Sequence, residues 1–85
     1  MPVMQFNFLE IEPKVKQVLC DALGQHTKVE TEEVDYGRVF VKVIAPQFND
    51  MSMRKRQDAV WNAINSLGSE AQAVSLVLAF GTDEI

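Results

Sequence analysis

Residues 48–61 read Phe48-Asn-Asp-Met-Ser52-Met-Arg-Lys-Arg56-Gln57-Asp-Ala-Val60-Trp. They combine a loop, a helix start that Asp50 or Ser52 can cap, and an amphipathic helix. One polar residue, Gln57, interrupts the apolar stripe of this helix. Because a polar group on a buried stripe costs free energy unless it is hydrogen-bonded, we expect the Gln57 amide to bond a backbone group or Gln72. The apolar members of the stripe, with Trp61 at its edge, are Met53, Val60, Ala63, Ile64 and Leu67.

An earlier helix is indicated by apolar residues that recur at helical spacing. We expect it to run from Glu12-Pro13 to Gly24, because proline is tolerated in a first turn and glycine favours a helix C-terminus. The residues that define its apolar face are Val15, Val18, Leu19, Ala22 and Leu23.

A β-hairpin follows. Residues 27–34 alternate between apolar and charged side chains, which predicts a half-exposed edge strand. Asp35-Tyr36-Gly37 is typical of a turn, and residues 38–44 form a second strand that is rich in β-branched side chains. We therefore expect two antiparallel strands.

The last strand and its connection complete the predicted fold. Residues 74–80 are apolar on both faces, which predicts a central or covered strand, and residues 70–72 form a short helical turn before it. A strand–helix–strand connection favours parallel pairing with a right-handed crossover. The pattern predicts an α+β fold with the order α-β-β-α-(α)-β: a small mixed three-stranded sheet with helices packed on one face.

Length and composition indicate one globular domain over residues 1–85. The chain is 47% hydrophobic and 24% charged, as ordinary folded domains are. Residues 1–11 form an N-terminal extension in which Phe6 and Phe8 alternate with polar residues. We expect a short strand there, packed over the core as a lid or contacting a second copy.

Charge and hydropathy limit the classes of partner. A net charge of −4 argues against a dedicated nucleic-acid-binding protein, whose binding surface is usually basic. No apolar run approaches the ~20 residues that a membrane helix needs, and the first residues lack the basic and apolar regions of a secretory signal. A single cysteine forms no internal disulfide, which fits a reducing compartment. We expect a cytoplasmic protein that is a monomer or a weak homodimer.

One set of positions in the loop, the second helix and the last strand resembles the BolA-like family. The resemblance covers most of residues 12–80 and needs no gap from 43 to 64. It implies an α-β-β-α-α-β fold close to a class II KH domain. The matching residues are Phe48, Ser52, Arg56, Val60, Ala63 and Ala73-Val74-Ser75-Leu76.

The resemblance also implies a partner and a cofactor. BolA-like proteins are known as partners of monothiol glutaredoxins, with which they share a [2Fe-2S] cluster through histidine and a loop cysteine or histidine. The two matching histidine positions are here Gln57 and Gln72, and Asp50 replaces the family's loop glycine. An amide oxygen is a weaker iron ligand than imidazole or thiolate. We therefore expect no resident cofactor and no bridging cluster.

Cys20 and His26 are the remaining soft metal ligands. Cys20 lies about 120° from the middle of the first helix's stripe, so we expect it to be partly exposed. Two ligands fall short of the four of a structural zinc site. We expect no metal here unless a partner supplies further ligands.

The first hypothesis is a non-enzymatic adaptor or regulatory protein that acts through protein contacts, with a monothiol glutaredoxin as the implied partner. No serine has a histidine in an arguable position to activate it, so we expect no catalysis. The contact face would combine the loop over residues 47–52, the start of the second helix and the entry to the last strand. Its candidate residues are Phe48, Asp50, Ser52, Arg56, Gln57 and Gln72.

The alternative is a KH-like nucleic-acid-binding module. Arg54, Lys55 and Arg56 lie at a helix start, where backbone amides and cations can hold phosphate. Consecutive residues spread over about 200° of a helix, so these three do not form one stripe. The preceding loop, residues 45–50, lacks the KH glycine pair. Solvated surface charge is the simpler interpretation, and Arg56 can pair with a carboxylate instead.

Overall fold

The computed structural model describes residues 6–85, and it confirms the predicted α+β class. Two helices pack on one face of a three-stranded mixed sheet. Short 3-10 helices connect the elements over Asp35–Gly37, Pro46–Asp50, Gly68–Ala73 and Thr82–Glu84. In chain order the main elements are α1 (Phe8–Leu23), β1 (Lys28–Glu33), β2 (Val39–Ile44), α2 (Met53–Asn65) and β3 (Val74–Phe80).

The sheet has the order β1-β2-β3. β1 pairs antiparallel with β2, so that Val29 lies opposite Val43, and β3 pairs parallel with β2, so that Val77 lies beside Val41. Both pairings were predicted. The prediction that β3 is a central or covered strand was wrong: β2, whose Val41 is fully buried, is the central strand, and β3 is an edge strand whose Leu76 is 51% exposed.

The core lies between α1, α2 and the inner face of the sheet. Alternate residues of β2 point into it, as the two-residue repeat of a strand requires. Side chains of α1 and α2 at helical spacing cover them, and the loop before α2 adds an aromatic ring. The largest fully buried side chains are Phe48, Leu19, Ile64, Val15, Val39, Val41, Val43 and Val60.

The first helix begins at Phe8, earlier than the predicted entry at Glu12-Pro13. The Asn7 carbonyl accepts the first helical hydrogen bonds, and the added turn buries Ile11 on the same stripe as Val15. Pro13 therefore lies inside the helix, where it removes one N–H near the exposed helix start. Burial of the Ile11 side chain offsets part of the cost of placing proline inside the helix. The short strand expected in the N-terminal extension is wrong for Phe8, and residues 1–5 lie outside the described residues.

Phe6 docks on the turn of the hairpin. Its N–H donates to the Tyr36 carbonyl at 2.7 Å, while Tyr36 and Gly37 both have positive φ, 65° and 72°. A Cβ on Gly37 would clash with the Phe6 carbonyl oxygen. Only glycine fits this position, because both the backbone conformation and the close approach exclude a side chain.

Gly37→Ala should lower the free energy of unfolding by more than the cost of placing an alanine in a left-handed backbone conformation, because the added Cβ also clashes with Phe6. Gly68 is the matched control, since its φ is 69° but nothing lies within 4 Å of an added Cβ. We expect Gly68→Ala to cost about 1–2 kcal/mol and Gly37→Ala at least about 1 kcal/mol more. Urea unfolding of both variants measures the difference. Equal losses would show that Phe6 does not pack against Gly37 in solution.

Candidate functional site

The start of α2 is organised by Arg56, whose side chain is only 5% exposed. Its Nε donates to the Met51 carbonyl at 3.0 Å. Its Nη1 donates to the Ala79 carbonyl at 3.4 Å and to Glu84 Oε1 at 2.5 Å. One guanidinium thus joins the loop before α2, the end of β3 and the C-terminal turn. The prediction that Arg56 can pair with a carboxylate is confirmed.

The C-terminal turn is tied to the same loop by a second set of hydrogen bonds. Asn49 Nδ2 donates to Thr82 Oγ1 at 3.1 Å, and the Asp83 N–H donates to Asn49 Oδ1 at 3.2 Å. Glu84 Oε1 also accepts from the Gly81 N–H at 2.6 Å. Side chains from both segments therefore fix the loop at this end of the sheet.

These contacts change the pKa of the Glu84 carboxyl. The hydrogen bond from the Gly81 N–H, and secondarily the one from Arg56, hold the pKa of Glu84 below its usual range. Both contacts favour the ionised carboxylate over the neutral acid. The network is therefore complete only while Glu84 is charged.

Gln57 lies half-buried on α2 and is hydrogen-bonded at both ends of its amide. Nε2 donates to the Val77 carbonyl at 3.0 Å, and Oε1 accepts from Trp61 Nε1 at 3.1 Å. The expectation that the amide bonds a backbone group is confirmed. Within residues 6–85, no hydrogen bond joins Gln57 to Gln72, which is exposed.

Arg56 and Gln57 together cover the outer edge of β3. The Phe80 carbonyl faces β2, where it accepts from the Ala45 N–H, so the alternate carbonyls of Val77 and Ala79 face away from β2. These two carbonyls accept from Gln57 and Arg56. A bare strand edge would be open to pairing with another chain. Two polar side chains of α2 occupy it instead.

The predicted contact residues divide between the surface and the interior. Phe48 is fully buried and Arg56 nearly so, whereas Asp50 and Ser52 are exposed. Phe48 and Arg56 hold the loop in place and offer no surface to a partner. Met53, expected on the buried stripe of α2, is 58% exposed, because the Arg56 side chain takes the buried position at this end of the helix.

Gln72 lies at the opposite end of the sheet from the loop before α2. β3 runs parallel to β2, so the entry to β3 adjoins the start of β2, while the loop follows the end of β2. The 6 residues of β2 between these ends span about 20 Å at roughly 3.3 Å per residue. Asp50 and Ser52 therefore share one surface, and Gln72 does not belong to it. The single contact face that we expected is corrected accordingly.

The cations at the start of α2 do not act as a group. Arg54 and Lys55 are exposed, while Arg56 turns into the interior. Ser52 is the N-cap, and its Oγ accepts from the Lys55 N–H at 3.2 Å. The expected spread of the three side chains around the helix is confirmed, and two of them face solvent.

Cys20 and His26 occupy separate places on the first half of the chain. Cys20 is half-buried on α1, as expected, and His26 is exposed beyond the end of the helix. In the part of the chain from residue 6 onward, no group of three or more His, Cys, Asp or Glu side chains is arranged to hold a metal ion. None of the helices in residues 6–85 has the length and hydrophobicity to cross a bilayer.

Sequence reasoning missed Asn49 and Glu84, which complete the site. Glu84 belongs to an acidic tail that resembles ordinary solvated charge. The signal for it was indirect: an arginine on a buried helical stripe requires a carboxylate and carbonyls to satisfy its guanidinium. Nothing in the pattern around Asn49 distinguishes it from other loop residues.

Comparison of the chain with protein-family models, with curated proteins and with solved structures found no match.

Arg56→Lys should destabilise the fold, although charge is retained. A lysine cannot bond the Met51 carbonyl, the Ala79 carbonyl and Glu84 at once, because it lacks the planar fork of donors. We expect the free energy of unfolding to fall by about 1–3 kcal/mol. Arg54→Lys on the exposed side of the same turn is the control and should change it by less than about 0.5 kcal/mol. Urea unfolding at pH 7 decides; equal effects would contradict the role of Arg56.

Glu84→Gln should destabilise the protein in a pH-dependent way. Because the folded pKa of Glu84 is lowered, its contribution is complete above the ordinary glutamate pKa of about 4.3 and is lost as the pH falls through the lowered value. The difference in unfolding free energy between wild type and variant should therefore shrink in acid. Asp83→Asn, in the same turn, controls for the loss of one charge. A difference that persists unchanged at acid pH would argue against the ionised contact.

Proposed function

We propose that this protein is a BolA-like, non-enzymatic adaptor that acts through protein contacts. The order of its elements supports the proposal, since it follows the α-β-β-α-α-β order that the resemblance implies, with the 3-10 helix Gly68–Ala73 in the place of the third helix. A monothiol glutaredoxin is the partner that the same resemblance implies. The alternative is a KH-like nucleic-acid-binding module. It is expected to have the same fold, so the two proposals differ in the surface that binds the partner.

The observation that carries the proposal is an exposed methionine on a fixed platform. We define the α2-start surface as Asp50, Ser52, Met53 and Arg54. Met53 is 58% exposed among these polar neighbours, and its Sδ lies 3.7 Å from Arg56 Nη1. An apolar, polarizable side chain inside a polar rim is typical of a protein-binding surface.

Rigidity favours binding at this surface. The Arg56 and Asn49 contacts hold the loop before α2 against the C-terminal turn, so association loses less conformational freedom than it would with a mobile loop. Phe48 anchors the same loop from beneath in the core. The buried Phe48 and Arg56 side chains thus hold in place the loop and helix start that carry the exposed residues of the α2-start surface.

The residues at the family's ligand positions do not fit a shared iron–sulfur cluster. The nitrogen and the oxygen of the Gln57 amide are both hydrogen-bonded. Gln72 offers the same kind of amide oxygen, which is a weak ligand for iron. The proposed adaptor therefore contacts its partner without supplying ligands from these positions.

For the KH-like alternative, the relevant surface is the pair of exposed cations, Arg54 and Lys55, at the first turn of α2. Arg56 does not belong to this surface because its side chain is buried. Two phosphate contacts on a chain of net charge −4 give weak binding that falls with salt. Salt dependence therefore discriminates the two proposals.

Met53→Asp should weaken binding to a monothiol glutaredoxin at least about tenfold, because a charge would replace the central apolar contact. Titration calorimetry with the purified glutaredoxin, free of cluster, measures this. Leu9→Asp is the control, since Leu9 is exposed and apolar but lies on α1, away from the α2-start surface. It should leave binding unchanged.

Two results in the same experiment would contradict the proposal. Equal weakening by Met53→Asp and Leu9→Asp, or no binding at all, would exclude the α2-start surface as the contact. Binding to a single-stranded oligonucleotide that falls steeply from low to physiological salt would favour the KH-like alternative. With cluster-loaded glutaredoxin the visible spectrum should stay that of glutaredoxin alone; a changed spectrum that Cys20→Ser or His26→Ala abolishes would overturn the assignment of no ligands.

A further inference from the structure

The two methionines of residues 6–85, Met51 and Met53, differ in their access to solvent. Met53 is 58% exposed at the start of α2, whereas Met51 is half-buried and packs against the core. Peroxides oxidise a thioether to a sulfoxide. An accessible sulfur reacts sooner, because the oxidant must reach it in solution. Met53 is therefore the more reactive of the two towards a dissolved oxidant.

The surroundings of the Met53 sulfur suit a sulfoxide oxygen better than they suit the thioether. Sδ lies 3.7 Å from Arg56 Nη1, and a thioether sulfur is only a weak acceptor. A sulfoxide oxygen is a strong acceptor, and its hydrogen bond to a guanidinium is assisted by charge. The flexible methionine side chain allows the oxygen to turn towards Nη1 without a change in the backbone. The guanidinium itself is held by two backbone carbonyls and Glu84.

We propose that Met53 is a redox-sensitive modification site, at which hydrogen peroxide produces a sulfoxide that bonds Arg56 and removes the apolar centre of the α2-start surface. One oxygen of the peroxide forms a bond to Sδ while the O–O bond breaks. The sulfur is oxidised by two electrons, and the second oxygen leaves as water with both hydrogen atoms of the peroxide. Methionine sulfoxide reductases restore the thioether, so the modification is reversible.

Oxidation changes what the α2-start surface offers to a partner. Its proposed contact is an apolar side chain inside a polar rim, and a sulfoxide makes the end of that side chain polar. Burying a polar group against a partner is unfavourable where the partner offers it no hydrogen bond. Binding should therefore weaken in the same direction as in Met53→Asp. Loss of partner binding rests on the proposed adaptor function, whereas the oxidation of Met53 and its contact with Arg56 do not.

Two measurements on the isolated protein test the modification site. During treatment with hydrogen peroxide, tandem mass spectrometry should find Met53 oxidised at least about fivefold faster than Met51. In NMR spectra, the resonance of the Arg56 guanidinium should shift when wild type is oxidised. It should not shift in Met53→Leu, which keeps an apolar side chain but has no sulfur to oxidise at this position. Equal rates at the two methionines, or an unchanged guanidinium resonance in the oxidised wild type, would overturn the proposal.

Binding to a purified monothiol glutaredoxin, free of cluster and added after catalase has removed the peroxide, tests the consequence. Oxidised wild type and oxidised Met51→Leu should bind at least about tenfold more weakly than their untreated forms, because both lose the apolar contact. Met53→Leu should bind within about twofold of untreated wild type, with or without peroxide. It also controls for oxidation of Cys20, which it retains. Methionine sulfoxide reductases for both epimers should restore binding of the oxidised wild type.

The outcomes distinguish regulation at Met53 from the proposed adaptor function. Unchanged binding of the oxidised wild type, or equal weakening of Met53→Leu by peroxide, would overturn regulation at this residue. Failure of the untreated protein to bind the glutaredoxin would contradict the proposed function. The modification of Met53 and its contact with Arg56 would then be decided by mass spectrometry and NMR alone.

Discussion

A buried guanidinium holds together the end of the sheet where the loop, the second helix and the last strand meet. Arg56 is almost entirely removed from water, and removing a cation from water is unfavourable unless its donors are satisfied. Carbonyls of Met51 and Ala79 and the Glu84 carboxylate provide that compensation. These three contacts join the loop before α2, the end of β3 and the C-terminal turn through one side chain.

The same helix controls which surfaces of the sheet remain available. Gln57 and Arg56 occupy the outward carbonyls of β3, and charged residues line the other edge strand, β1. Both edges are thereby protected against strand addition, a recurrent route to aggregation. The face of β2 and β3 that carries Leu76 and Leu78 has no such protection within the described residues. Polar or charged side chains thus cover both edges of the sheet, whereas exposed apolar side chains remain on its outer face.

Periodicity predicted both helices, the hairpin and the parallel third strand, because a hydrophobic repeat reports local geometry directly. It could not place β3 at an edge, since a strand with two apolar faces has the same pattern whether its second face is buried or open. It also missed the start of α1: Pro13 suggested an entry, but Ile11 adds a turn that tertiary packing stabilises. The sequence analysis predicted that β3 is parallel to β2. It did not draw the consequence that Gln72, which precedes β3, and Ser52, which follows β2, lie at opposite ends of the sheet.

The partner of Arg56 lies 28 residues further along the chain, which has a consequence for synthesis. While the ribosome is still adding the residues after β3, the guanidinium has no carboxylate and the preceding loop has no Asn49-to-turn contacts. Helices and the hairpin depend on nearer contacts and can form earlier. The loop end of the sheet therefore depends on contacts of long sequence separation, which close more slowly than the local contacts within the helices and the hairpin.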